Sequence, residues 1–121
     1  MQANELKALV LDALDELKAH EVVVLDVAQH SGFTDYMVVA TGTSNRHVKS
    51  LADNLQRRCR EQAVRPLGVE GEQAAEWILV DLGDVVVHLM QPQTRAFYNL
   101  EKFWSLTEMS ESAAARRQHG Q

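Results

Sequence analysis

The spacing of apolar residues along this chain changes several times, and each change marks an element. Leu6, Leu9, Val10, Ala13, Leu14 and Leu17 recur at steps of three and four with charged residues between them. That period predicts a helix over Gln2–Ala19 with one buried stripe. The branched run Val22-Val23-Val24-Leu25-Asp26-Val27 predicts a strand covered on both faces, or nearly so. Gln29-His30-Ser31-Gly32 reads as a turn and Thr34–Thr41 as the returning strand, and so short a connection favours an antiparallel pair. Gly42 is expected to take a backbone angle closed to other residues, with Thr43 or Ser44 capping the next helix. That helix should span Ser44–Ala63, bury Val48, Leu51, Ala52, Leu55 and Cys59, and be ended by Pro66.

Leu67–Gly71 predicts a short strand, followed by a polar loop. Trp77–Leu82 and Val85–Met90, joined through Gly83-Asp84, predict a hairpin. Pro92 suits the first turn of a last helix running from Gln93 to about Leu106, with Phe97, Leu100, Phe103 and Trp104 as its packing residues. Beyond Glu108 the apolar stripe disappears, which predicts a folded domain over residues 1–106 and a disordered tail over 107–121. The resulting fold class is α/β (α+β), with helices packed on a mixed sheet of about five strands.

Length and composition narrow the possibilities. With 121 residues, 45% hydrophobic and 24% charged, the chain supplies one domain with a single two-layer core. It has no run near the roughly 18 apolar residues of a membrane span, and its first residues do not read as a secretory signal. A single cysteine, Cys59, cannot form an internal disulfide framework and suits a reducing cytoplasm. The formal charge of -5 argues against nucleic acid as the main partner and is compatible with a basic protein partner.

Candidate chemistry is sparse. Glu70 with Glu72, Asp81 with Asp84, and Asp26 with Asp35 are carboxylate pairs that could hold magnesium for nucleotidyl transfer, with Gly42-Thr43-Ser44 at a helix start to receive a phosphate. Their places at turns and in loops fit ordinary surface roles better. His88 lies on the strand face of Val86 and Met90 and reads as a packed, hydrogen-bonded residue. His20, His30, His47 and His119 show no metal-ligand spacing with it or with Cys59, and no serine or cysteine lies in a nucleophile motif. Arg46, Lys49, Arg57 and Arg60 gather on the outer side of the second helix, as a solvated face or as a surface for an acidic group or RNA phosphate.

Two aromatic residues carry more information. Trp77 opens its strand beside Glu76, on the face of Leu79, and Tyr98 lies next to Phe97 but off the packing stripe, near Glu101. Large amphipathic rings rimmed by charge are common anchors of protein interfaces. The alternative is that Trp77 caps the sheet and Tyr98 lies over a groove.

Three long blocks resemble the ribosomal silencing factor family, also called RsfS or Iojap. They are Thr34-Asp35-Tyr36-Met37-Val38-Val39-Ala40-Thr41-Gly42-Thr43-Ser44 with His47, the segment from Gly71 through Glu76-Trp77-Ile78-Leu79-Val80-Asp81 to His88, and Arg95-Ala96-Phe97-Tyr98-Asn99-Leu100-Glu101 with Trp104. The resemblance covers about residues 5 to 105 and also takes in Asp26, while Met37 and Phe97 are mild departures from it. It implies a nucleotidyltransferase-like fold without the catalytic acids, hence no catalysis, metal or cofactor. It further implies binding to the large ribosomal subunit through the universal large-subunit protein uL-fourteen. A domain bound there would block joining of the small subunit and repress translation when nutrients are scarce. On this reading Trp77 and Tyr98 anchor the contact and Glu76, Asp81 and Glu101 pair with basic groups of the partner. The rivals are an active nucleotidyltransferase using Gly42-Thr43-Ser44 with a carboxylate pair, and an RNA-binding module. A homodimer is compatible with all of them.

Overall fold

In the computed structural model, which describes residues 1–99, three helices and five strands alternate along the chain. They are α1 (Ala3–Glu16), β1 (His20–Asp26), β2 (Tyr36–Thr41), α2 (Asn45–Glu61), β3 (Gly68–Glu70), β4 (Trp77–Asp81), β5 (Val85–Met90) and α3 (Pro92–Tyr98). The strands form one mixed sheet in the order β1-β2-β5-β4-β3. Only the β2–β5 pair is parallel; β1 with β2, β4 with β5 and β3 with β4 are antiparallel. This is the α+β architecture expected from the periodicity.

The period-2 alternation of the strands divides the core into two parts. Val38, Ala40, Ile78, Val80, Val85, Val87 and Leu89 face α1 and α2, meeting Leu6, Val10, Ala13 and Leu14 of α1 and the whole predicted stripe of α2. Val27, Met37, Val39 and Met90 cluster on the opposite face, with Leu25 and Trp77 packed against them. Arg58 of α2 links the two helices on the outside by reaching Asp12 and Glu16 of α1. Cys59 is fully buried, and burial pushes its thiol pKa up, as suits a small packing residue.

Several boundaries differ from the sequence expectation for identifiable reasons. The valine-rich β1 is not covered on both faces: it is the edge strand, mostly half-buried or exposed, and Val22 is an exposed hydrophobic. Gly42 has no positive φ; a Cβ there would lie 2.7 Å from Val48 Cγ2 and 2.9 Å from the Val48 nitrogen. Close approach of α2 to the end of β2, rather than a special backbone angle, is what requires glycine. Ser44 caps α2, accepting the His47 backbone N–H at 3.1 Å.

Pro66 does not stop α2. The helix closes at Ala63, whose φ is 58°, with the Ala63 N–H donating to the Arg60 carbonyl and the Val64 N–H to the Cys59 carbonyl. α1 ends before the predicted Ala19 by the same device, with Lys18 at φ 58° and the Ala19 N–H on the Leu14 carbonyl. Both are left-handed caps occupied by residues other than glycine. Phe97, expected to pack inward, is 81% exposed. The helix that carries it is described only to Tyr98, and Asn99 at φ 48° is its C-cap. The expected continuation through Leu100, Phe103 and Trp104, and the tail over 107–121, lie outside the described residues.

The exposed left-handed cap at Ala63 gives a direct test. Ala63→Gly removes the Cβ penalty without touching a buried contact, so it should raise stability by about 0.5–1 kcal/mol. Urea unfolding with an unchanged m-value and a higher midpoint is the expected result, and a lower midpoint would contradict the assignment.

Candidate functional site

The second face of the sheet carries a polar feature at the end where β4 begins. Trp77 pairs with Met90 and Leu79 with His88, so Trp77 and His88 are diagonal neighbours on one face. The Trp77 indole Nε1–H donates to His88 Nδ1 at 2.9 Å, and the ring centroids are 5.8 Å apart. Because Nδ1 accepts, the neutral ring carries its proton on Nε2. His88 is 8% exposed, and burial lowers its pKa to about 4. The packed, hydrogen-bonded histidine read from the sequence is therefore what the fold contains, and its partner is the tryptophan.

α3 is laid across this end of the sheet. His20, Thr41, Met90 and Trp77 form one row over β1, β2, β5 and β4. Gln91 fastens the start of the helix, its N–H donating to the Glu76 carbonyl at 3.0 Å and its side-chain amide to the Ala75 carbonyl at 3.2 Å. Arg95 is buried and donates from Nη1 to the Glu21 carbonyl at 2.6 Å and to Thr41 Oγ1 at 2.7 Å. With α3 held at both strand groups, Tyr98 comes to rest on Trp77, centroids 4.7 Å apart and planes tilted by 51°. Phe97 meets the Tyr98 ring edge-on at 5.0 Å. A shallow groove beside them is lined by Glu76, Gln91, Gln93, Thr94, Phe97 and Tyr98.

Gly71 permits part of this arrangement. Its φ is +88°, and a Cβ there would fall 2.1 Å from the Trp77 carbonyl oxygen, so the loop before β4 can cross close to Trp77 only with glycine at this point.

The five residues singled out in the sequence are not all brought together. Trp77 and Tyr98 are in contact, and Glu76 is exposed at the groove. Asp81 lies on the same sheet face but four residues along β4, roughly 13 Å away by strand rise. Its Oδ1 accepts the Gly83 N–H at 2.9 Å in the hairpin turn. Glu101 lies outside the described residues. Phe97 joins the exposed aromatics instead of the core, and Arg95 was not foreseen as an anchor.

The candidate catalytic features are occupied by local structure. Among the described residues no three His, Cys, Asp or Glu side chains are placed to hold a metal ion. Asp26 Oδ1 accepts the Ala28 N–H, and Glu72 accepts from the Gln56 amide. At the start of α2 the Thr43 N–H donates to His47 Nδ1 at 2.9 Å, His47 Nε2–H donates to the Leu17 carbonyl at 2.8 Å, and Ser44 takes the His47 N–H. The donors that would cradle a phosphate are thus used to join α1, α2 and the β2 end. On the outer face of α2, Arg57 is paired with Glu61 at 2.8 Å, while Arg46 and Lys49 border a shallow depression with Asp53 and Gln73.

The buried His88 makes a pH prediction. Its folded pKa of about 4 lies below the ordinary 6.5, so between these values the unfolded chain binds more protons than the folded one. His88 therefore costs no stability above pH 6.5 and costs progressively more as pH falls to 4, by at most about 1.4 kcal/mol per pH unit. His88→Asn removes this titration, so urea unfolding should show a flatter loss of stability in that window. An unchanged slope would contradict the neutral buried imidazole.

Comparison with known proteins agrees with the fold. Residues 1–121 match the family described as "Ribosomal silencing factor during starvation". The ribosomal silencing factor RsfS of Haemophilus influenzae is 44% identical over 96 residues, covering 79% of this chain and 94% of the relative. A crystal structure of a Chromobacterium violaceum protein is 41% identical and superposes with a TM-score of 0.85, covering 87% of this chain and 88% of that one. The mouse protein "Mitochondrial assembly of ribosomal large subunit protein 1" is 33% identical over 111 residues, covering 88% of this chain and 48% of its own length. With the family matched along the whole chain and the Haemophilus influenzae silencing factor aligned over 94% of its own length, this chain belongs to the ribosomal silencing factor family.

Proposed function

We propose that the Trp77–Tyr98–Phe97 array is a docking surface for the large ribosomal subunit, with the protein uL-fourteen as its partner. The bound domain acts by occlusion: it occupies the face where the small subunit docks, prevents joining, and represses translation in nutrient limitation. No chemical step, metal or cofactor enters this mechanism. The setting is the cytoplasm, and among the described residues no helix is long and apolar enough to cross a membrane.

The observation that carries the reading is the pair of contacting aromatics left open on the surface. Tyr98 is 52% and Phe97 81% exposed, yet both belong to one ring stack rooted in the half-buried Trp77. Rings fixed in place before binding lose little side-chain freedom on docking, which is what a hot spot needs. Glu76 at the groove and the net charge of -5 favour a basic protein surface. In this proposal Glu76 pairs at the centre and Asp81 extends the acidic border along β4, while Glu101 is assigned by its place in the family block. The mouse relative's name, which refers to the ribosomal large subunit, supports the choice of subunit.

Trp77→Ala and Tyr98→Ala should each weaken binding to isolated large subunits by more than about 1–2 kcal/mol, the scale of hot-spot truncations. Quantitative co-sedimentation checks this, with circular dichroism to show that both variants fold. Wild-type affinity in both would remove the docking assignment. A second copy of this chain could cover the same rings, so the wild-type oligomeric state belongs in the same experiment.

A further inference from the structure

A buried histidine in the middle of a core strand calls for a reason. β5 is flanked by β2 and β4, and the register neighbours of His88 are Val39 and Leu79, both apolar. From α3 the ionisable side chains that face this end of the sheet are Tyr98, which touches Trp77, and Arg95, which is held on Glu21 and Thr41. A leucine or valine at position 88 would pack in such a row without the desolvation cost that an imidazole carries. The structure gives the imidazole one evident task, since its Nδ1 receives the Trp77 indole N–H at 2.9 Å.

We infer that His88 is a positioning residue of the docking surface: its Nδ1 holds the Trp77 indole in the orientation on which Tyr98 stacks. The inference rests on the docking reading above and adds a residue to it that makes no contact with the partner. Trp77 sits between two ring contacts, His88 at 5.8 Å and Tyr98 at 4.7 Å. A rotation of the indole about its side-chain bonds breaks the first hydrogen bond and carries the ring away from the second. Arg95 fixes the α3 side of the same stack through Glu21 and Thr41, so the freedom left to the array lies in the Trp77 rotamer. Without the acceptor, the indole samples other rotamers and must be reordered each time the surface binds.

The geometry separates this role from simple core filling. Asn places its Oδ1 one bond from Cγ, as His places Nδ1, so His88→Asn keeps an acceptor near the same point. Gln carries its acceptor one methylene farther out, and Leu carries none. Binding to isolated large subunits should therefore stay within about threefold of wild type for His88→Asn and fall roughly tenfold or more for His88→Gln and His88→Leu. The Trp77 indole N–H resonance, assigned with a Trp104→Phe variant, should remain slow to exchange with water in His88→Asn and become fast in the other two.

Equal binding by the Asn and Gln variants, or wild-type binding by His88→Leu with an exposed indole N–H, would overturn the positioning role. Either result leaves the docking reading standing if Trp77→Ala still weakens binding. Loss of any effect of Trp77→Ala would overturn both. Should His88→Leu not fold, the Asn–Gln pair decides alone.

Discussion

The strand Val85–Met90 is the constraint on which the rest of this molecule depends. It is the central strand of the sheet, parallel to β2 on one side and antiparallel to β4 on the other. Val85, Val87 and Leu89 fill the face under the helices, and Met90 helps fill the opposite one. Its pairing with β2 closes the long excursion through α2, β3 and β4. Its pairing with β4 fixes which residues meet diagonally across the hairpin, and α3 leaves directly from its end. Slipping this register by one residue would turn His88 toward the helices and separate it from Trp77.

Much of this was legible along the chain, for local reasons. The helical stripes of α1 and α2 and the hairpin around Gly83-Asp84 depend on neighbours a few residues apart, and period alone reveals them. The parallel β2–β5 pair was not legible, because its partners are almost fifty residues apart and no local pattern encodes which strands meet. Nor was the edge position of β1, since a valine run reads alike in a central strand and in an edge strand. The helix ends were misplaced because Lys18 and Ala63 adopt left-handed caps that their side chains do not advertise.

The site was legible in part. Trp77 and Tyr98 stood out as amphipathic rings among charges, and their contact follows from α3 crossing the strand ends. The hairpin also contained a signal that went unused: pairing Asp81 with Val86 across the turn sets His88 diagonal to Trp77. Arg95 gave no such signal, because burial of a guanidinium depends on carbonyl and hydroxyl groups supplied by β1 and β2. Phe97 was misread as a packing residue because a short helix end need not continue the stripe inferred for it. Asp81, grouped with the site by sequence motif, is placed by the fold at the far end of its strand, where only the three-dimensional structure shows its distance from Trp77.

A protein that acts by occupying a surface needs stability and a prearranged contact, and it can dispense with a reactive centre. The structure has a two-sided core, and on the proposed docking reading the prearranged contact is the set of rings held through His88 and Arg95. The most direct test is to mix the purified protein with separated large and small ribosomal subunits, resolve the species on a sucrose gradient, and then add the missing subunit. The account predicts binding to the large subunit alone and a dose-dependent fall in joined ribosomes. Binding to neither subunit, or binding to the large subunit with joining undiminished, would contradict it.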